Sequence, residues 1–437
     1  MSRFIFKFTL FLLILWRTAG VFSLDVQVKK ISDDSSIRRN LYQDWFIDAP
    51  VKVLTKIPFI STLPDGARVE VRTEVSGGDF SIVLARQLNA GFPGWAQGSW
   101  ILTRQRSNGL PVRIRFFPRS DPYTYIQFRP SPSSVQTSVM DIVVYDAYIG
   151  QSISLHFPFD KLLTMQIEDI LAEVGDNFPV RYFEPKREDY RDVRSIIDKI
   201  RLALAGLSFA DDGAIDENGE YVFIDTQKPQ ESNAGLNCSG FAKWTIDGIL
   251  RPVTGGRLAI APLKAPFGTR GSDFTGPYEE SRDPFFGLDW IRNLAAACGA
   301  AFKSSEFGTL DEIEVRQSPF AQVIVRAGKT IAAKAYPGFL PNAGYGFEGL
   351  HALLYTLAID EPGFIFLGAV NNEMLPKPRM RQFYHIAVLI PYFDDTGSFH
   401  TAVFESAVET PFTRFKNRYP SQYINLVRIP VESAFEP

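Results

Sequence analysis

Between Asp25 and about Pro179 the chain alternates short apolar runs with Pro, Gly, Asn and Asp. VKVLTKIPFI (51–60), ARVEVRTEV (67–75), FSIVLARQL (80–88), GSWILTRQ (98–105), PVRIRFFP (111–118), YTYIQFRP (123–130) and MDIVVYDAYI (140–149) are such runs. Alternation with a period of two marks strands, and their regular spacing predicts an all-β domain over residues 25–180, sandwich- or jelly-roll-like. The arginines alternating in ARVEVRTEV and VRIRFF predict a solvated sheet face.

The period changes after Arg181. Val193, Ile196, Ile197, Ile200 and Leu204 recur at helical spacing and open a second domain over 181–437. The acidic stretch from Asp211 to Glu220 lacks the alternate-ligand spacing of a calcium loop and is expected to be a solvated turn into the strand YVFI, so no metal is assigned. In GLNCSGFAKWTIDGIL (235–250) Phe241, Trp244 and Ile249 carry the helical period. This places Cys238 at the start of a helix, with Gly248 as its stop signal. A Gly-, Pro- and Arg-rich stretch, 251–283, reads as surface loop. Helices are predicted over 283–302 and 346–359, followed by the strands PGFIFLGAV (362–370), YHIAVLIPYF (384–393), FHTAVFES (399–406) and YINLVRIPV (423–431).

Composition narrows the function classes. The 437 residues are 45% hydrophobic, enough for two or three packed domains, and a formal net charge of −3 leaves no basic footprint for nucleic acid. At the N-terminus Arg3 and Lys7 precede an apolar run from Phe8 to Trp16 and small residues from Ala19 to Ser23, the plan of a signal peptide over residues 1–23. The run is too short for a stable membrane span, so export to the periplasm or the extracellular space is expected. An oxidising compartment permits a disulfide between the two cysteines, Cys238 and Cys298. Cys298 lies on an Ala-rich helix without a polar activator, whereas Cys238 lies where the partial positive charge of a helix N-terminus stabilises a thiolate.

A thiolate nucleophile needs a base, and the candidates are His156, His351, His385 and His400. His385 opens the apolar strand IAVLI and can face a helix bearing Cys238 from the strand's end. Counting the hairpin with Asp394–Gly397 as its turn pairs Phe393 with Ser398 and His385 with Ser406, beside Glu405. His400 then pairs near Pro391, roughly 20 Å along the strand. Glu405 is therefore expected to orient the imidazole, with His400 in reserve, and the Cys238 backbone N–H is the candidate oxyanion donor.

In this order, Cys238-Ser239-Gly240-Phe241, Pro362-Gly363-Phe364-Ile365-Phe366, His385-Ile386-Ala387-Val388 and Phe404-Glu405-Ser406 resemble the motifs of the NlpC/P60 cysteine peptidases. Asn237, Phe364 and Glu405 stand where that family carries Asp, Asp and His. The resemblance implies an α+β papain-like domain with a large insertion, about 251–345, and assigns Cys238 as nucleophile, His385 as base and Glu405 as third residue. It also implies hydrolysis of stem-peptide amide bonds, with peptidoglycan or another envelope polymer as partner and without a cofactor. A non-catalytic envelope-binding adaptor, a protein-directed peptidase and a transglutaminase-like acyl transferase are the alternative readings.

Overall fold

The computed structural model describes residues 33–145, 147–175, 180–267, 283–302, 309–316, 323–326, 329–332, 338–374 and 380–437. The expected signal peptide, residues 1–23, lies outside them. Among the described residues no helix is long and apolar enough to cross a membrane.

Eight strands make one antiparallel sheet in chain order: β1 (Phe59–Thr62), β2 (Arg68–Ser76), β3 (Asp79–Arg86), β4 (Trp100–Gln105), β5 (Pro111–Phe116), β6 (Thr124–Pro130), β7 (Ser138–Val144) and β8 (Ala147–Leu155). Alternate residues from successive strands, among them Val71, Ile82, Leu102, Ile114, Ile126 and Met140, form a single core. Helices cover that face: α1 (Ser35–Leu41) and α2 (Pro50–Val53) before the sheet, α3 (Phe159–Leu162) and α4 (Ile167–Val174) after it. Ile37, Val53, Leu162 and Ile170 supply the apolar contacts. The region is β-rich and antiparallel, as the alternation predicts. Its strands nevertheless follow chain order instead of the crossed order of a jelly roll, because each is followed by a turn short enough to pair it with its neighbour.

The remainder of the chain is mixed. Helix α5 (Arg191–Leu204) precedes a small hairpin, β9 (Gly213–Ile215) and β10 (Tyr221–Phe223), whose turn is held by Asp216 accepting from the N–H groups of Asn218 (2.9 Å) and Glu220 (2.8 Å). Helix α6 (Cys238–Thr254) and α7 (Ile260–Leu263) follow, then α8 (Phe286–Ala301), α9 (Leu310–Ile313) and the hairpin β11 (Val323–Arg326) and β12 (Lys329–Ala332). A six-stranded antiparallel sheet ends the fold, formed by β13 (Tyr345–Gly346), β14 (Phe364–Met374), β15 (Met380–Phe393), β16 (Phe399–Glu405), β17 (Val408–Glu409) and β18 (Tyr423–Pro430), in the order β13-β18-β14-β15-β16-β17. Helix α10 (Leu350–Asp360) precedes β14, and α11 (Phe412–Arg418) links β17 to β18.

Two cores flank this sheet. Ile386, Val388 and Ile390 of β15 pack with Val193 of α5, Phe241 and Trp244 of α6, and Trp290 and Ile291 of α8. On the other face Ala387 and Leu389 pack with Leu353 and Leu357 of α10 and Phe415 of α11, and this second core extends to Val144 of β7. Helix α8 lies within the stretch expected to be an insertion, yet it packs in the same core as α6. Gly248 does not stop α6, which continues to Thr254 and ends at Gly255 in the left-handed conformation (φ 77°). Gly248 instead makes room for Phe435, whose ring would lie 2.6 Å from an added Cβ.

Candidate active site

The local geometry around Cys238 follows from its neighbours. Asn237 is the N-cap of α6, its side chain accepting the Gly240 N–H (2.8 Å), while its own N–H donates to the Gly213 carbonyl of β9 (3.0 Å). A Cβ on Gly240 would fall on that same carbonyl oxygen, and one on Gly213 would fall on the Gly235 carbonyl. Only glycine at these positions lets the first turn of α6 lie against β9. Trp290 of α8, fully buried, donates its indole N–H to the Ser239 carbonyl (2.9 Å) and fixes the turn from the other side. The thiol is thereby presented, half-buried, at a rigid helix start.

His385 is aimed by an irregularity in β15. Val370 of β14 pairs with His385 and Asn371 with Phe383, leaving Tyr384 as an extra residue in the ladder. Such a bulge re-aims the side chains beside it. On the other side of β15, pairing with β16 runs from Phe393↔Phe399 to Val388↔Phe404. Past that point the Ile386 N–H is available, and it donates to the Cys238 sulfur. Because strand N–H groups point in the plane of the sheet, this places the thiol beside β15, beyond the end of the β15–β16 pairing.

The hairpin register differs by one residue from the sequence count. His400 pairs with Tyr392, not Pro391, because the turn between Phe393 and Phe399 includes Ser398, whose carbonyl accepts the Asp394 N–H (3.0 Å). The difference matters. Continuing the observed register sets Glu405 opposite Ala387, on the same face as His385 and diagonal to it, whereas the counted register would have turned it away. The His385 Nε2 and a Glu405 carboxylate oxygen are 2.6 Å apart, which leaves Nδ1 for Cys238. The reserve residue, His400, is not at the site: its Nε2 pairs with Asp394 (2.8 Å) at the hairpin's far end.

Electrostatics follow from these contacts. Burial by itself would raise the Cys238 thiol, but the hydrogen bond and positive charge of His385, with the Ile386 N–H and Ser239, outweigh it and hold the thiol below its ordinary value. For His385 burial alone would lower the imidazole, and its hydrogen bonds with Cys238 and Glu405 instead raise it to about 9. Glu405 is buried, which would raise it, yet hydrogen bonds from His385 and Thr410 and the charge of Arg418 keep it below the usual carboxylate range. Arg418, on α11, donates to both carboxylate oxygens (3.1 and 2.9 Å). Tyr419 lies under its guanidinium and has its ring centroid 6.1 Å from that of His385. Arg418, Thr410 and Tyr419 carry no sequence signal, since only the folded α11 returns them to the end of β16.

The other candidates are elsewhere. Cys298 is a free, fully buried thiol raised by desolvation, and Cys238 is also free, so the permitted disulfide does not form. His351 packs against Tyr145, Phe399 and Phe412. His156 is exposed beside Glu173. Among the described residues no group of three or more His, Cys, Asp or Glu could hold a metal ion.

Residues 27–182 match the model of a domain of unknown function (DUF8515). No curated protein and no solved structure matches the chain. Cys238, His385 and Glu405 all lie outside the matched residues.

Proposed function

We propose that this protein is an exported cysteine hydrolase with a papain-like domain, acting on amide bonds of cell-wall stem peptides. The observation that carries the reading is the 2.6 Å hydrogen bond between His385 and the buried Glu405 carboxylate, with the helix-start Cys238 thiol on the other side of the imidazole, where each shifts the other towards its charged form. A thiol held low beside an imidazole held high favours the thiolate–imidazolium pair over the neutral thiol and imidazole.

The Cys238 thiolate attacks the amide carbonyl, forming a C–S bond and an oxyanion. The Cys238 N–H, at a helix start without an intrahelical acceptor, donates to that oxyanion. Collapse breaks the C–N bond as His385 gives its proton to the leaving amine. Water then attacks the thioester, His385 takes a proton from it, and the C–S bond breaks to restore the thiolate. Glu405 holds the imidazole orientation through both steps. Asn237, at a position that is acidic in the NlpC/P60 family, caps the helix without adding a negative charge that would oppose the thiolate.

Stem peptide is the substrate class that the motif resemblance implies, so the test uses isolated peptidoglycan. Wild-type protein should release new amino groups, and Cys238→Ser should release none. Unchanged release by Cys238→Ser would sink the mechanism. A Cys238 that alkylates only above pH ~8.5, as an ordinary thiol does, would favour the adaptor reading.

A further inference from the structure

The solvated sheet face expected from VRIRFF is not simply solvated. Arg113 and Arg115 alternate on β5 and point to the same side, opposite the core residues Ile114 and Phe116. Both are half-buried. Three arginines of this sheet are matched by carboxylates, Arg72 by Glu70 and Glu74, Arg86 by Asp65 and Arg129 by Asp141, and Arg104 is satisfied by the Gly109 and Asp48 carbonyls. Arg113 and Arg115 have no such ion pair among the described residues. The Arg113 Nε is buried without any hydrogen-bond partner, and Arg115 makes one long bond, from Nε to Gln127 (3.5 Å). Burial, first, and the neighbouring charge of Arg115 hold the Arg113 guanidinium below its usual value, outweighing the opposing charge of Asp79. Two like charges are therefore held together, partly desolvated, with Asp79 near Arg113 but not in an ion pair with it.

The surroundings suit a ligand. Arg115 lies over the Tyr125 ring, 4.5 Å from its centroid, which fixes the plane of its fork. The cross-strand row Ser81↔Thr103↔Arg113 brings two hydroxyls, 3.1 Å apart, beside the first arginine.

We propose that Arg113 and Arg115 form an anion-binding site for carboxylate or phosphate groups carried on a hydroxyl-rich polymer. Planar guanidinium forks match both anions, and the half-buried Ser81 hydroxyl beside them, held by the buried Thr103, suits a sugar or polyol backbone. The site lies in the eight-stranded sheet, separate from the Cys238 centre, and does not depend on the hydrolase reading.

The test is titration calorimetry of the full chain at low salt with three probes: an oligogalacturonate (carboxylate), a poly(glycerol phosphate) (phosphodiester) and neutral dextran. Binding of either anionic probe and not dextran is expected, and which one binds names the source of the anion. Arg113→Gln/Arg115→Gln should weaken that binding about a hundredfold, roughly tenfold per charge-assisted contact. Arg113→Lys/Arg115→Lys, which keeps the charge and loses the fork, should recover only part of it. Thermal melts and Cys238 alkylation, compared with wild type, report whether the variants fold. Equal dextran binding, no binding of either anion, or undiminished binding by folded Gln variants would overturn the proposal.

Discussion

Glu405→Gln isolates the carboxylate's contribution with little change of shape. In the wild type Glu405 accepts a 2.6 Å hydrogen bond from His385 and is 6% exposed. A hydrogen bond to a charged group contributes about 1.5–3 kcal/mol, and 1.36 kcal/mol corresponds to about one pKa unit, so removing the charge should lower His385 by about one to two units. Starting from about 9, the imidazole then titrates at about 7 to 8. The thiolate–imidazolium pair loses the same free energy relative to the neutral thiol and imidazole, so its equilibrium constant falls about 10- to 100-fold. Iodoacetamide alkylation of Cys238, followed by intact mass from pH 5 to 10, reads this directly, because the buried Cys298 does not compete. Wild-type protein should alkylate readily at neutral pH. Glu405→Gln should be slowed most below pH 7 and regain reactivity as pH approaches that of a free thiol, about 8.5. Superimposable profiles would refute the coupling of Glu405 to the thiol through His385.

Four further outcomes are expected. Asn237→Asp keeps the cap but sets a negative charge beside the sulfur, so alkylation at pH 6 to 7 should slow while chemical denaturation shows little change. Gly240→Ala should destabilise by about 1–3 kcal/mol in urea titrations, because its Cβ meets the Gly213 carbonyl and backbone cannot yield as a side chain does. Phe435→Ala, which empties the pocket over Gly248 and Trp244, should cost about 3 kcal/mol by the same assay. Burial lowers His351 to about 3, so the unfolded state takes up its proton first. Stability from this residue is therefore lost as pH falls from about 6.5 towards 3, by up to about 1.4 kcal/mol per pH unit, and His351→Phe should flatten the slope of unfolding free energy over that window.

The parts of the site that were legible in the sequence depend on local rules. A helix start is encoded by a capping residue and a period, so Cys238 could be placed from GLNCSGF alone. The apolar run beginning after His385 predicts a strand end there, yet β15 starts at Met380 and runs through it; the bulge at Tyr384 and the end of the pairing with β16 are what free the imidazole. Glu405 was reached by counting, and the count was one residue off because the turn keeps Ser398. With a period of two, that single residue decides the face, and the observed register is the one that lets Glu405 meet His385. The bulge at Tyr384 left no mark on the hydrophobic pattern. Gly248 illustrates a converse error: glycine before a helix end looks like a stop, but its role is set by Phe435, 187 residues later. Alternation marks β2 to β6, but the single run 140–149 spans the turn between β7 and β8, and the run 51–60 begins in α2 and reaches β1 only at Phe59; strand order is not legible either, since alternation reports which face is buried and not which strand is adjacent. The same pattern sets Arg113 and Arg115 on a solvated face, and their half-buried state without an ion pair emerges only from the packed sheet.

If turnover acylates Cys238, intact-mass spectrometry of the protein mixed with soluble stem peptide and quenched in acid within a single turnover will catch the intermediate. A transient adduct equal in mass to the acyl fragment is expected, located on Cys238, discharged by hydroxylamine and absent from Cys238→Ala. Release of product without any adduct at Cys238, or the same product from Cys238→Ala, would contradict acylation of Cys238.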